Sequence, residues 1–102
     1  MSQSPFDLFK KEFPEPSERY DSLVDSQRKL RGLDPKMKQL LDIGIQTAIR
    51  NPRGVRFHAL MARQGGASRD EVIGAVAMHL HLVGLAAVLD SLPSAVEGYE
   101  GK

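Results

Sequence analysis

At 102 residues the chain can bury one sizeable core and is expected to form one domain. With 41% hydrophobic and 26% charged residues it has the make-up of a folded soluble protein, and a formal net charge of +1 gives no reason to expect nucleic acid or an acidic membrane surface as a partner. Cysteine is absent, which excludes disulfides, thiolate nucleophiles and thiolate metal sites and fits a reducing compartment, so a cytoplasmic location is expected.

The N-terminal stretch MSQSPFDLFKKEF mixes acids and bases among its phenylalanines and lacks an apolar core region, so it is not expected to be a signal peptide. Phe6, Phe9 and Phe13 make a one-sided stripe on a short helix stopped by the Pro14/Pro16 pair, and residues 1–16 are read as a helical arm. Ser17 is the expected N-cap of the next helix, whose apolar face carries Tyr20, Leu23, Val24 and Leu30 and which Gly32 ends. Asp34-Pro35 starts a third helix, with the aspartate as cap and the proline at the first helical position, where its missing N–H costs nothing. Met37, Leu40, Leu41, Gly44, Ile45 and Ala48 follow on one helical face. Asn51-Pro52 repeats the device and predicts a tight corner at Arg50–Asn51. The helix from Pro52 ends at Gly65-Gly66, and Ser68 to Glu71 forms a capping-box sequence opening the last long helix. Pro93 is expected to end or bend that helix, leaving residues 93–102 as a tail after a helical domain over 17–92. The fold class is all-α, with short connections between neighbouring helices.

Val72 to Leu89 runs for eighteen residues without a formal charge. A membrane span needs about twenty apolar residues, and this run holds two histidines behind a capping box, so a span is not expected. A helix apolar on all sides must instead be buried on all sides. Ten of its residues are Val, Ile, Leu or Met. If about five faced away from the subunit's own core, leaving them in water would forgo roughly 7–15 kcal/mol, comparable to the whole stability of a domain. The run therefore predicts an obligate homo-oligomer, with Gly74, Ala75, Ala77, Gly84, Ala86 and Ala87 allowing close helix approach.

Val55, His58, Ala59 and Ala62 share one face of the Pro52 helix. His58 is thus either a core histidine satisfied by its neighbours or a general acid/base, because imidazole titrates near neutral pH and burial tunes it. Arg50, Arg53 and Arg56 follow at three-residue spacing, either as a solvated basic edge or as a clamp for a carboxylate. His79 and His81 lie about 200° apart around a helix and cannot share a metal within one subunit, so no metal site is expected and a structural role suits both. Either could still approach His58 across a packed corner. Gly65-Gly66 reads as a helix C-cap rather than a phosphate cradle. Asp42 and Glu71 are isolated carboxylates with no partner at catalytic spacing.

The ordered series from LDPK through the apolar helix, the proline corner, His58, GGASRDEV and the glycine-centred apolar helix covers residues 33–90. It resembles the carboxymuconolactone decarboxylase family, which shares its fold with the alkylhydroperoxidase D-like proteins. The resemblance implies an all-α bundle assembled as trimers or hexamers and no cofactor. It implies a small carboxylated lactone that loses CO2 and is reprotonated, with His58 managing the proton and Arg53 or Arg56 holding the carboxylate. The peroxidase-like branch carries a Cys-x-x-Cys pair, a histidine and an upstream glutamate. Those positions fall here on Asn51, Gly54, His58 and Gln39. Peroxide reduction needs one thiolate to be oxidised and a second thiol to resolve it. Asparagine and glycine do neither, so thiol peroxidase activity is rejected. NPRGVRFH resembles the decarboxylase branch, which lacks those cysteines, but has Arg53 and Gly54 where that branch usually has acidic residues. The alternative is a non-catalytic binding or structural oligomer that kept the fold after losing the thiol site.

Overall fold

The structure, a computed structural model, describes residues 4–102, all of whose regular elements are α-helices. The expected all-α class holds. The chain divides into two compact units at Gly32–Leu33, not after residue 16 as expected. Residues 1–3 of the expected arm lie outside the described residues.

In the first unit, α1 (Pro5–Glu12) starts where the Ser4 hydroxyl accepts the Asp7 N–H at 3.1 Å. Its carbon stripe stays in water: Phe6 and Phe13 are more than half exposed. The second helix, α2 (Pro14–Arg28), starts on Pro14 with Phe13 before it and no side-chain cap. Ser17, expected to be that cap, is instead a buried residue inside the helix. A proline at N1 has its φ already helical and has no N–H to satisfy, which moved the start four residues upstream.

The second unit holds α3 (Pro35–Ala48), α4 (Pro52–Gln64), α5 (Arg69–Ala77), α6 (Leu80–Val83) and α7 (Leu85–Glu100). Asp34 caps α3 by accepting the Met37 N–H at 2.7 Å, as its position predicts. The capping box of α5 is complete: Ser68 Oγ accepts the Glu71 N–H at 3.0 Å, and Glu71 Oε1 accepts the Ser68 N–H at 2.8 Å. Between α3 and α4 the chain turns on Arg50, which is left-handed at φ 56° and whose guanidinium pairs with Asp90 of α7. Asn51 precedes Pro52 but does not cap α4. Its side chain donates to Gln46 Oε1 at 2.9 Å.

The expected long helix from Ser68 is three helices. The run breaks at Met78–His79 and again at Gly84, whose φ of 89° and ψ of 162° suit a residue without a Cβ. Continuous apolar character hid both breaks, because helix termination there depends on backbone conformation and not on polarity. Pro93 neither ends nor precedes a tail: α7 runs through it to Glu100, with Ala95 and Gly98 buried. Pro93 itself is exposed, so its ring sits on the open side of the helix while the opposite side stays packed.

The core is built from small and β-branched side chains: Ile43, Val55, Ala59, Ala62, Val72, Val76, Val88 and Ala95. Helix α4 is sandwiched by α3 and α7. The approach of α7 is so close that a Cβ at Gly98 would overlap the carbonyl oxygen of Arg56. Outside this core, much of the charge-free run faces water in the single chain: Met78 is 65% exposed, Leu82 72%, Leu85 59% and Leu89 56%. Among the described residues no helix is long and apolar enough to cross a membrane.

Candidate active site on helices α3 and α4

Helix α4 points Val55, Ala59 and Ala62 into the core, each with no exposed surface. His58 sits at the edge of that stripe, where α3 lies alongside, and its side chain is 19% exposed. Gln39 and Asp42, one turn apart on α3, both meet it at the same ring nitrogen. Nδ1 lies 2.7 Å from Gln39 Oε1 and 3.6 Å from Asp42 Oδ2. The Phe57 ring meets the imidazole edge-on, with centroids 5.3 Å apart.

An amide oxygen can only accept, so Nδ1 carries the hydrogen of the neutral ring and Nε2 carries the lone pair. Among the described residues Nε2 has no hydrogen-bond partner, and it is not one of the sealed, unpaired polar atoms of the molecule. It is therefore open to solvent. Burial pulls the imidazole below its ordinary value of 6.5, more strongly than the neighbouring Asp42 carboxylate raises it. The result is a neutral base near pH 7 with one nitrogen held and one presented.

The arginines expected to share this site lie elsewhere in the chain. Around an α-helix axis Arg56 stands about 200° and Arg53 about 140° from His58. Arg56 donates to the backbone carbonyl oxygen of Lys102 at the end of the chain. Arg53 is exposed and has no hydrogen bond or ion pair among the described residues. Arg50 is held by Asp90. A carboxylate clamp beside His58 is thus not assembled within one subunit, because three-residue spacing walks around the helix away from the histidine.

Asp42 is the residue that sequence reasoning passed over as isolated. The usable signal was its place three residues after Gln39, on the same face of α3. Glu71, the other carboxylate so described, is occupied by the capping box and by Lys36 at 3.0 Å, and these contacts hold it below the usual carboxylate range. His79 does not approach His58: its ring lies over Gly44 of α3, where any Cβ would overlap it. His81 is exposed. Among the described residues no group of three or more His, Cys, Asp or Glu side chains could hold a metal ion.

The two positions that match the relay cysteines are packed by a third residue. Gln46 accepts from Asn51 and places its amide where a side chain at Gly54 would have to go. Neither position offers a group that peroxide could oxidise.

The family model described as "Carboxymuconolactone decarboxylase family" matches residues 14–97. The chain belongs to the carboxymuconolactone decarboxylase family. The crystal structure of an apo carboxymuconolactone decarboxylase family protein from Legionella pneumophila superposes on it with a TM-score of 0.78 at 28% sequence identity, covering 91% of this chain and 82% of that one. No curated protein matches the chain.

Proposed function

We propose that the protein is a carboxymuconolactone decarboxylase-like enzyme that transfers a proton on a small carboxylated substrate, acts as a cytoplasmic homo-oligomer and has no thiol peroxidase activity. The observation that carries this is the His58 imidazole: its Nδ1 is fixed by Gln39 while its Nε2 is free, solvent-accessible and basic. In decarboxylation the C–C bond to the carboxylate breaks and its electron pair enters a conjugated enolate. His58, having taken a proton from solvent at Nε2, gives that proton to carbon and is left neutral. Arg53 has its guanidinium free for the substrate carboxylate, and it would have to reach His58 from another subunit or along the surface of α4. Arg56, held by the C-terminal carbonyl, is the weaker of the two expected anchors.

Oligomerisation is supported by exposed apolar side chains from the C-cap of α5 through α7. Met78, Leu82, Leu85 and Leu89 are each more than half in water. Full burial of such a side chain is worth about 1.5–3 kcal/mol, so covering the remainder of all four recovers roughly 4–8 kcal/mol. Sedimentation at micromolar concentration is expected to give an oligomer, trimer or hexamer, and a monomer overturns this part.

The activity is tested by thermal-shift titration with carboxymuconolactone, simpler carboxylated lactones and keto acids. A ligand is expected to raise Tm with occupancy, and its turnover is then compared in the wild type and His58→Gln. The absence of an arginine beside His58 favours a second reading, a non-catalytic binding or structural oligomer. Binding without turnover, equal in the two proteins, selects that one.

A further inference from the structure

Gln39 and Asp42 both reach the same nitrogen of His58, yet they cannot do the same work. The amide of Gln39 accepts the Nδ1–H at 2.7 Å and so decides which nitrogen keeps the hydrogen. Being neutral, it gives little to a ring that has become a cation. The Asp42 carboxylate, at 3.6 Å, is too far for a good hydrogen bond but well within the range of a charge–charge attraction. It is the only carboxylate within ion-pair distance of His58 among the described residues. The other charge on this face of α3 is Lys38, one turn before Asp42. The arginines of α4 stand on other sides of that helix, and Lys36 and Glu71 are paired with each other. The ring is largely buried and loses hydration when charged, so a fixed counter-charge has an effect there that it would lack in water.

We propose that Asp42 is a positioning residue, the counter-charge that holds His58 in its protonated state after Nε2 has taken up a proton, while Gln39 sets the tautomer. The two tasks that a single carboxylate partner would combine are split between two residues of one helical turn. The role of Asp42 in a reaction rests on the proton-transfer reading above, but its coupling to His58 can be measured without any substrate.

The test is the imidazole titration of His58, read by two-dimensional ¹H–¹⁵N NMR on the full chain, which reports the midpoint and the neutral tautomer separately. In the wild type the neutral form is expected to carry its hydrogen on Nδ1. Asp42→Asn is expected to shift the midpoint to lower pH with the tautomer unchanged, and Asp42→Glu to restore it. Gln39→Leu should loosen the tautomer preference, and Gln39→Glu should move the midpoint up past the wild type. Added salt screens an exposed carboxylate, so in the wild type it is expected to lower the midpoint; this reading stands even if Asp42→Asn fails to fold. A midpoint unmoved by both Asp42→Asn and salt overturns the proposal, even if His58→Gln abolishes turnover. A midpoint that falls with Asp42→Asn and returns with Asp42→Glu bears out the coupling, even if His58→Gln leaves turnover intact and removes the proton-transfer reading.

Discussion

Helix α4 has two polar edges, and they are finished differently. On one, Arg56 and Arg63 lie two turns apart and reach the C-terminal end of α7: Arg56 bonds the Lys102 carbonyl, and Arg63 donates to the Tyr99 carbonyl at 2.6 Å while its guanidinium lies 5.1 Å from the Tyr99 ring centroid. Those cations sit at the negative dipole end of a helix, and each has one donor bonded there to a backbone oxygen. On the other edge His58 has one nitrogen matched and one open. Both edges flank the same core, though the arginines are exposed and His58 is largely buried. What separates them is the kind of group: only the histidine presents a nitrogen lone pair that can take up and give back a proton where a substrate could meet it.

The largest effect is expected from the open edge. His58→Gln should lower turnover by about 10²–10⁴-fold, the usual worth of a positioned acid/base, with a far smaller change in the denaturation midpoint. Loss of both together would place His58 with the arginines as a structural residue. Next comes the seam that brings the closed edge against α7. Gly98→Val forces a side chain into the Arg56 carbonyl, and overpacking of this kind costs about 2–3 kcal/mol. Urea unfolding should show it as a lower midpoint with an unchanged slope. On the closed edge itself, Arg63→Ala removes a hydrogen bond and a cation–π contact and should cost about 1 kcal/mol, leaving the His58 titration where it was. A shifted titration would mean that the two edges communicate.

Most helix starts were legible because they are written locally. Pro35 after Asp34, Pro52 after Asn51 and the Ser68/Glu71 box each declare a first turn within four residues, and the structure begins helices at all three. Local chemistry also misled. Ser17 has the side chain of a cap but stands three residues behind Pro14, and the proline prevailed. The breaks at His79 and Gly84 were invisible in a run with no polar residue other than its two histidines, where a glycine reads equally as a packing site or as a turn. At the candidate site, His58 was legible from its place on an apolar stripe, and Gln39 from the family pattern. Asp42 was not, since its partner lies sixteen positions later on another helix and only the packing of α3 on α4 brings them together. The arginines lie close to His58 in sequence, but the helical turn sets them on other sides of α4 within one subunit.

The smallest effect gives the finest discrimination between the two edges, because only one of them titrates. Arginine stays charged throughout the accessible range, so the closed edge contributes no pH dependence of its own. His58 is held below 6.5 in the fold, chiefly by burial. As pH falls through 6.5 the unfolded chain takes up a proton at this residue while the folded chain does not yet do so. The unfolded state then binds more protons, and stability decreases with falling pH. The loss begins near 6.5 and levels off once pH passes below the folded-state value. It is separate from the contribution of Glu71, whose lowered value makes its stabilisation fade only as pH falls below about 4.5. Urea midpoints measured at intervals from pH 7.5 down to pH 5 should therefore decline in the wild type and more steeply in Asp42→Asn, where the counter-charge is gone, and the decline should flatten in His58→Gln. A slope that persists unchanged in His58→Gln would leave the open edge of α4 without its titrating group.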